Sequence, residues 1–227
     1  MVDVIYEDNH ILVCIKPQNV PSQKDSSLDP DMLTMVKEYI KEKYNKQGNV
    51  YVGLVHRLDR PTGGVMVFAK TSKAAQRLSQ QIANKELNKT YLTVVCGKVQ
   101  NQKATLVNYL KKDEEQNKVS IVPSHTFGAK QAELEYNVIC VKDNLNLVKV
   151  NLKTGRSHQI RVQMAGIQTP VFGDSKYGAK VQNSNLALWA YNLSFVHPTT
   201  KQKLTFKVLP PQDLIPWKYF EKEIKNL

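Results

Sequence analysis

The chain has 227 residues, and its 32 lysine and arginine residues exceed its 20 aspartate and glutamate residues, which gives a formal net charge of +12. Hydrophobic residues make up 41% and charged residues 23% of the sequence. This balance excludes general disorder and favours a single globular domain that spans residues 1–227. No apolar run approaches the ~20 residues that cross a bilayer, and the surplus of positive charge indicates either a polyanionic partner such as RNA or solubility alone.

The first 50 residues predict a β-hairpin followed by a helix. Two apolar runs, at 4–6 and 11–15, lie on either side of a polar tetrad, a pattern typical of two strands joined by a turn. A polar loop follows at 18–27. Asp29 then resembles a helix N-cap with proline at the first helical position, and apolar residues recur at helical spacing as far as residue 44.

The next 50 residues predict strand, loop, strand, helix and strand. Apolar runs at 51–55 and 65–70 enclose a charged loop at 56–64, which contains a proline and two glycines. Thr71 or Ser72 caps a helix that ends between residues 84 and 88. The β-branched residues of the segment 89–99 favour a further strand.

The rest of the chain is richer in strands than in helices. A lysine-rich, weakly periodic segment at 101–129 is predicted to be an insertion or a hairpin. Two further hairpins are predicted at 132–152 and 186–208. Helices are predicted at 157–165, with Gly166 as the C-cap, and at 217–224. The sequence therefore predicts an α+β fold, in which helices flank a largely antiparallel mixed sheet.

Asp59 is the first candidate functional residue, because it lies between Arg57 and Arg60 in the loop at 56–64. Two guanidinium groups beside one acid would keep it ionised and ready to act as a nucleophile or a base. The alternative is a turn aspartate that binds local backbone amides or forms a surface ion pair.

A second candidate cluster lies at 152–161. On a helix that starts near residue 157, His158 and Arg161 would project from one side, and Arg156 would add positive charge at the helix N-terminus, where anions bind. The alternative is a capped helix with solvated basic residues. His56 and His158 have no metal-ligand spacing such as HxxxH, so the sequence does not favour a metal site.

Tyr91 is a third candidate, in the strand predicted at 89–99. A strand tyrosine is usually a half-buried packing residue, but its ring can also stack on a base that has left its helix.

Five segments, in this order, resemble the signature motifs of RluA-type pseudouridine synthases. They are Y-E-D-N-H through K-P at 6–17, H-R-L-D-R-P-T-G-G at 56–64, K-T-Y at 89–91, L-K-T-G-R-S-H-Q-I-R at 152–161 and G-D-S-K-Y-G at 173–178. The departures are Gly63 where the family usually has serine, Ser157 where it has threonine, and Gln163 where histidine is common.

The resemblance implies a pseudouridine synthase fold with a central basic cleft and an enzyme that isomerises a uridine of ribosomal or transfer RNA. Asp59 would be the catalytic carboxylate, Arg161 its ion-pair partner, and Tyr91 the ring that stacks on uracil, while Arg57 would fill the gap left by the flipped nucleotide. Further RNA contacts are expected at His56, Arg60, Lys89, Arg156 and His158. We expect the catalytic domain alone, without the S4-like RNA-binding module that some relatives carry.

Such an isomerisation keeps all substrate atoms and needs no redox partner or hydrolysis, so we expect no cofactor and no metal. Cys14, Cys96 and Cys140 are far apart and odd in number, which favours reduced thiols and a cytoplasmic protein. We expect a monomer. Two other functions remain open: a metal-dependent phosphodiesterase built from His56, Asp59 and His158, and a non-catalytic RNA-binding protein.

Overall fold

The computed structural model describes residues 2–178, 181 and 184–227. Its strands and helices, in chain order, are β1 (Asp3–Glu7), β2 (Ile11–Lys16), α1 (Met32–Lys43), β3 (Gly53–Leu54), β4 (Gly63–Ala69), α2 (Ser72–Ala83), β5 (Asn88–Cys96), β6 (Lys103–Asp113), β7 (Lys118–Val122), β8 (Lys130–Lys142), β9 (Leu145–Leu152), α3 (Gln159–Gly166), β10 (Leu188–Val196), β11 (Lys203–Lys207), a 3-10 turn (Trp217–Phe220) and α4 (Glu221–Lys225). This confirms the predicted α+β class, and the hairpins β1–β2, β8–β9 and β10–β11 are antiparallel as expected.

Two local predictions were wrong in detail. The cap of α1 is Asp31 and not Asp29, because the Asp31 carboxylate accepts the backbone N–H of Thr34 at 3.1 Å. Gly166 is the last residue of α3 and not its cap. Of the two alternatives for the region 101–129, the structure shows the hairpin: β6 pairs with β7 along one edge and with β8 along the other.

The chain divides into two compact units, the first formed by Met1–Asn88 and Ala190–Val208. Its strands follow the order β1, β2, β4, β10, with β3 paired to β4 and β11 to β10. Helices α1 and α2, whose N-cap residues are Asp31 and Thr71, belong to this unit, and α2 packs on β4. An apolar core is formed by residues from β2, β4, α2, the segment after α2, and β10: Ile11, Val13, Val65, Val67, Ala69, Ala74, Leu78, Leu87, Leu193 and Phe195.

Gly64, in β4, allows this strand to approach β10 closely. Its φ is +121°, and a Cβ at this position would lie 2.4 Å from the carbonyl oxygen of Ala190. A side chain is therefore excluded both by the backbone conformation and by the neighbouring strand. The glycine is the last residue of the segment 56–64 and fixes where that segment joins the sheet.

The second unit is formed by Lys89–Trp189 and Leu209–Leu227. Its strands follow the order β5, β9, β8, β6, β7, and α3 packs on β6 and β7. A small apolar cluster lies beneath α3, formed by Leu110, Val119, Ala132 and Val162. No helix in the part of the chain that the structure describes is long and apolar enough to cross a membrane.

Candidate active site

The loop at 56–64 belongs to the first unit, and the backbone on both sides of Asp59 is fixed. The Ser22 hydroxyl donates to the carbonyl of Leu58 at 2.8 Å and accepts the N–H of Leu58 at 3.1 Å. The N–H of Thr62 closes a turn on the carbonyl of Asp59 at 2.9 Å. Asp59 itself is half-buried. The acid is therefore carried by a rigid turn, which favours a positioned carboxylate over a mobile surface residue.

Lys16, at the end of β2, also stabilises the loop at 56–64. Its side chain is completely buried, and Nζ donates to the carbonyls of Pro17 at 3.0 Å, Val20 at 2.5 Å and Arg60 at 2.9 Å. Burial lowers the pKa of Lys16 to about 7, while the negative charge of Asp59 acts to raise it. Lys16 thus braces the loop, and its amine lies close enough to Asp59 for the two groups to interact electrostatically.

Arg60 does not face the acid as the sequence suggested. Its guanidinium binds the loop that follows β2, through the carbonyl of Asn19 at 3.1 Å, the hydroxyl of Ser27 at 2.8 Å and the carboxylate of Asp29. The prediction that both flanking arginines hold Asp59 is therefore wrong for Arg60, because its side chain is long enough to reach acids that are about 30 positions away in the sequence. Arg57 is exposed.

His56 is buried, and its Nε2 accepts the backbone N–H of Val67 at 3.1 Å. That nitrogen is a structural link to β4, and in this arrangement it cannot ligate a metal ion. Among the residues that the structure describes, no group of three or more His, Cys, Asp or Glu side chains is placed to hold a metal ion. The contact of His56 with RNA stays a prediction.

Arg161, in α3 of the second unit, forms a buried bidentate pair with Asp174. Nε donates to Oδ2 at 2.7 Å and Nη2 to Oδ1 at 2.8 Å, and the two side chains are 7% and 0% exposed. The Tyr177 ring covers the guanidinium, with its centroid 5.1 Å from Cζ. Asp174 and Tyr177 lie in the segment 173–178, which resembles a family motif, but no role was predicted for either residue from the sequence.

His158 is the residue before α3 and not part of it as predicted, because its φ of +50° is left-handed and α3 begins at the next residue. Its side chain still lies on the same side as that of Arg161, as predicted, because both contact Tyr177. Nδ1 lies 2.7 Å from the hydroxyl of Tyr177, which in turn accepts the N–H of Val119 at 2.9 Å. His158 is thereby tied to the same tyrosine that covers Arg161.

The turn before α3 is held by the buried side chain of Gln159. Its Oε1 accepts from the hydroxyl of Thr154 at 2.8 Å and the N–H of Arg156 at 3.0 Å, while Nε2 donates to the carbonyl of Glu133 at 3.0 Å. The guanidinium of Arg156 is exposed and donates through Nε to the carbonyl of Gln131 at 2.9 Å. Arg156 is thus presented on the surface at a fixed place, as an anion contact requires.

Tyr91 and Lys89 are neighbours in β5, where they pair with Val150 and Leu152 of β9. Tyr91 is 6% exposed, so its ring is held by packing. Burial lowers the pKa of Lys89, and a Cβ at Gly155 would lie 4.0 Å from its Nζ. The glycine leaves room beside this amine, next to the turn that carries Arg156.

The chain is similar in sequence to known RNA pseudouridine synthases. A sequence model of the RNA pseudouridylate synthase family matches residues 10–166. The chain is 33% identical over 219 residues to an uncharacterised RNA pseudouridine synthase of Bacillus subtilis, YhcT, which covers 94% of this chain and 70% of that protein. It is 30% identical over 225 residues to ribosomal large subunit pseudouridine synthase D of Zymomonas mobilis, with coverage of 94% and 70%.

The fold is similar to that of solved structures as well. Human RNA pseudouridylate synthase domain containing 4 superposes with a TM-score of 0.79 at 19% identity, over 98% of this chain and 93% of that one. Human RNA pseudouridylate synthase domain containing 1 gives a TM-score of 0.73 at 20% identity, over 96% and 86%. The predicted fold and family are both confirmed: this chain belongs to the RNA pseudouridylate synthase family, the isomerases that convert uridine in RNA to pseudouridine.

Proposed function

We propose that this chain modifies a uridine of large ribosomal subunit RNA and that Asp59 is the carboxylate that reacts at the ribose. The relatives from Zymomonas mobilis and Buchnera aphidicola are both named as ribosomal large subunit pseudouridine synthases, which supports ribosomal over transfer RNA. The net charge of +12 suits an RNA substrate, because lysine and arginine neutralise phosphates.

The reaction breaks the N1–C1′ bond and forms a C5–C1′ bond. Asp59 either attacks C1′ or removes the 2′ proton to give a glycal, and both routes need an ionised carboxylate at a fixed place. The freed uracil turns, C5 joins C1′, and C5 then loses its proton while N1 gains one. Every substrate atom is retained, so the chemistry itself calls for no cofactor.

The observation that carries the assignment of Asp59 is the bracing of its turn. Buried Ser22 and buried Lys16 hold the residues before and after the acid, and the Lys16 amine interacts electrostatically with Asp59. A turn aspartate with a purely local role would not need two separate elements to fix its position. Such bracing is typical of a group that must meet a reacting atom within a fraction of an ångström.

The other site residues take the roles that the family resemblance implies. We propose that Arg161 is the ion-pair partner of Asp59, as in the resemblance, that Tyr91 covers the uracil ring, and that Arg57 fills the space left by the flipped nucleotide, which helps to offset an unstacking cost of a few kcal/mol. His56, Arg60, Lys89, Arg156 and His158 contribute RNA contacts. The free thiols Cys14, Cys96 and Cys140 support a cytoplasmic enzyme, and we expect it to act as a monomer.

The test compares Asp59→Asn with Asp3→Asn, which changes an exposed acid of β1 in the same unit. Transcribed large-subunit RNA and transfer RNA from the source organism are incubated with each variant, and pseudouridine is mapped by chemical labelling and primer extension. We expect Asp59→Asn to bind RNA within about threefold of wild type and to lose at least 10³-fold in rate, while Asp3→Asn stays active.

Appreciable product from Asp59→Asn would refute the role of this acid. Product in transfer RNA alone would refute the ribosomal substrate and leave the acid's role intact. Chelator-sensitive cleavage of the RNA without pseudouridine would favour the phosphodiesterase, and binding without either product would favour the non-catalytic RNA-binding protein.

A further inference from the structure

We propose that Asp174 is a positioning residue for Arg161, and that Tyr177 completes the mount that holds the guanidinium in one orientation. The proposal rests on the function proposed above, in which Arg161 acts at the reacting site. No part of the reaction passes through Asp174 itself, whose carboxylate is fully used by contacts within its own unit.

The first step of the argument is the shape of the pair. Both contacts use the same edge of the guanidinium, formed by Nε and Nη2, at 2.7 and 2.8 Å. A two-point contact between planar groups fixes the rotation of the guanidinium as well as its distance. The end of the guanidinium, formed by one proton of Nη1 and the second proton of Nη2, lies outside this pair, and it is the edge with which Arg161 would meet a second carboxylate.

The second step is that Asp174 is itself immobilised. Its Oδ1 accepts the backbone N–H groups of Lys176 at 3.1 Å and Tyr177 at 3.2 Å, and its own N–H bonds to the carbonyl of Val171 at 3.1 Å. The carboxylate is therefore locked by the turn that carries it, and it cannot follow a moving guanidinium. A lysine or an exposed acid would not transmit such a constraint.

The third step concerns the face of the guanidinium. The ring of Tyr177 lies over Cζ at 5.1 Å, and its hydroxyl is held by Val119 and by His158. The ring closes one face, and the carboxylate occupies one edge. The ring and the carboxylate together restrict the directions from which a further partner can approach the guanidinium.

A purely structural ion pair is the alternative explanation. Burying both ions costs several kcal/mol of desolvation each, so such a pair adds little net stability compared with apolar residues of the same size. The arrangement contributes orientation more than folding free energy. This difference can be measured, because an orienting residue changes the rate of the chemical step and acts only through Arg161.

The experiment is a double-mutant cycle with Arg161→Ala and Asp174→Asn, using Asp143→Asn as the matched control at an exposed turn of the same unit. Single-turnover rates of pseudouridine formation and RNA dissociation constants are measured for each. We expect Asp174→Asn to lower the rate by about 10–100-fold with RNA affinity within twofold of wild type. In the Arg161→Ala background the same change should alter the rate by less than twofold.

Asp174→Glu guards against loss of folding, because it keeps the charge and moves the carboxylate by one methylene. We expect it to lower the rate at least tenfold while its circular dichroism stays that of wild type. A folded Asp174→Glu or Asp174→Asn enzyme with a rate within twofold of wild type would overturn the proposal, and so would rate losses that multiply in the double variant. If the wild-type chain forms no pseudouridine in any RNA, the proposed function fails, which is a separate result.

Discussion

The loop that carries Asp59 and the cluster around Arg161 are stabilised in different ways. Asp59 is positioned through its backbone, because buried Lys16 and Ser22 bind the peptide groups on either side of it. Arg161 is positioned through its side chain, by the carboxylate of Asp174. Fixing the backbone of an aspartate nearly fixes its carboxylate, because the side chain is short. An arginine has more rotatable bonds, so its guanidinium needs a partner of its own. The two charged groups therefore depend on two kinds of support.

The largest effect in this comparison is expected from Lys16→Met. Three carbonyls lose their hydrogen-bond donor and the turn around Asp59 loses its brace, so we expect a loss of about 2–4 kcal/mol in the free energy of unfolding. Urea denaturation measures this loss, with Lys24→Met as the control, since Lys24 is exposed in the same unit. Equal midpoints for the two variants would contradict backbone support of the loop.

Glu7 predicts how the first unit responds to acid. Burial acts to raise its pKa, but hydrogen bonds from Lys43, Lys70, Tyr44 and Tyr39 outweigh burial and lower the pKa to about 2. A lowered pKa gives stability that is fully present above pH 4.5 and is lost as the pH falls towards 2. We expect Glu7→Gln to cost about 1–3 kcal/mol at pH 7.

The same difference between wild type and Glu7→Gln should shrink at pH 2.5. Thermal unfolding at both pH values measures it, and Glu38→Gln on the exposed face of α1 serves as the control. A difference that stays constant between pH 7 and 2.5 would show that the charge of Glu7 is not what stabilises the unit.

The smallest effect is expected from Tyr177→Phe, in the second unit. The ring over Arg161 is kept, and only the hydroxyl that serves Val119 and His158 is lost, so we expect about 1 kcal/mol of destabilisation and a rate within threefold of wild type. Tyr219→Phe, at a half-exposed ring, is the control. A tenfold loss of rate would show that the hydroxyl, and not the ring, holds Arg161 in place.

Much of the fold could be predicted from the sequence because its signals are local. Alternating and continuous apolar runs defined the hairpins, and Thr71 was correctly expected to cap α2. The cap of α1 was misplaced by two residues, because the proline at 30 favoured Asp29 and nothing local showed that the Asp31 carboxylate reaches Thr34. The sequence left the segment 101–129 open between a hairpin and an insertion, and it did not show that β6 pairs with β8 as well as with β7.

The partners of long charged side chains could not be predicted in the same way. Arg60 follows Asp59 directly in sequence, yet its guanidinium binds Ser27 and Asp29. Asp174 lies 13 positions after Arg161, and no spacing rule links a helix residue to an acid in a later turn. Even the helical spacing of His158 and Arg161 depended on one backbone angle, the left-handed φ that excludes His158 from α3.

The first unit is discontinuous in sequence, and this affects how the chain can fold during synthesis. Strand β4 has β10 as its neighbour in the sheet, and about 120 residues separate the two strands. While a ribosome is still translating that interval, one edge of β4 is paired only at Phe68 and Ala69, by β3, and its apolar face is incompletely covered. Nascent chains of this protein should therefore rely on chaperones, or on fast translation, until β10 and β11 emerge.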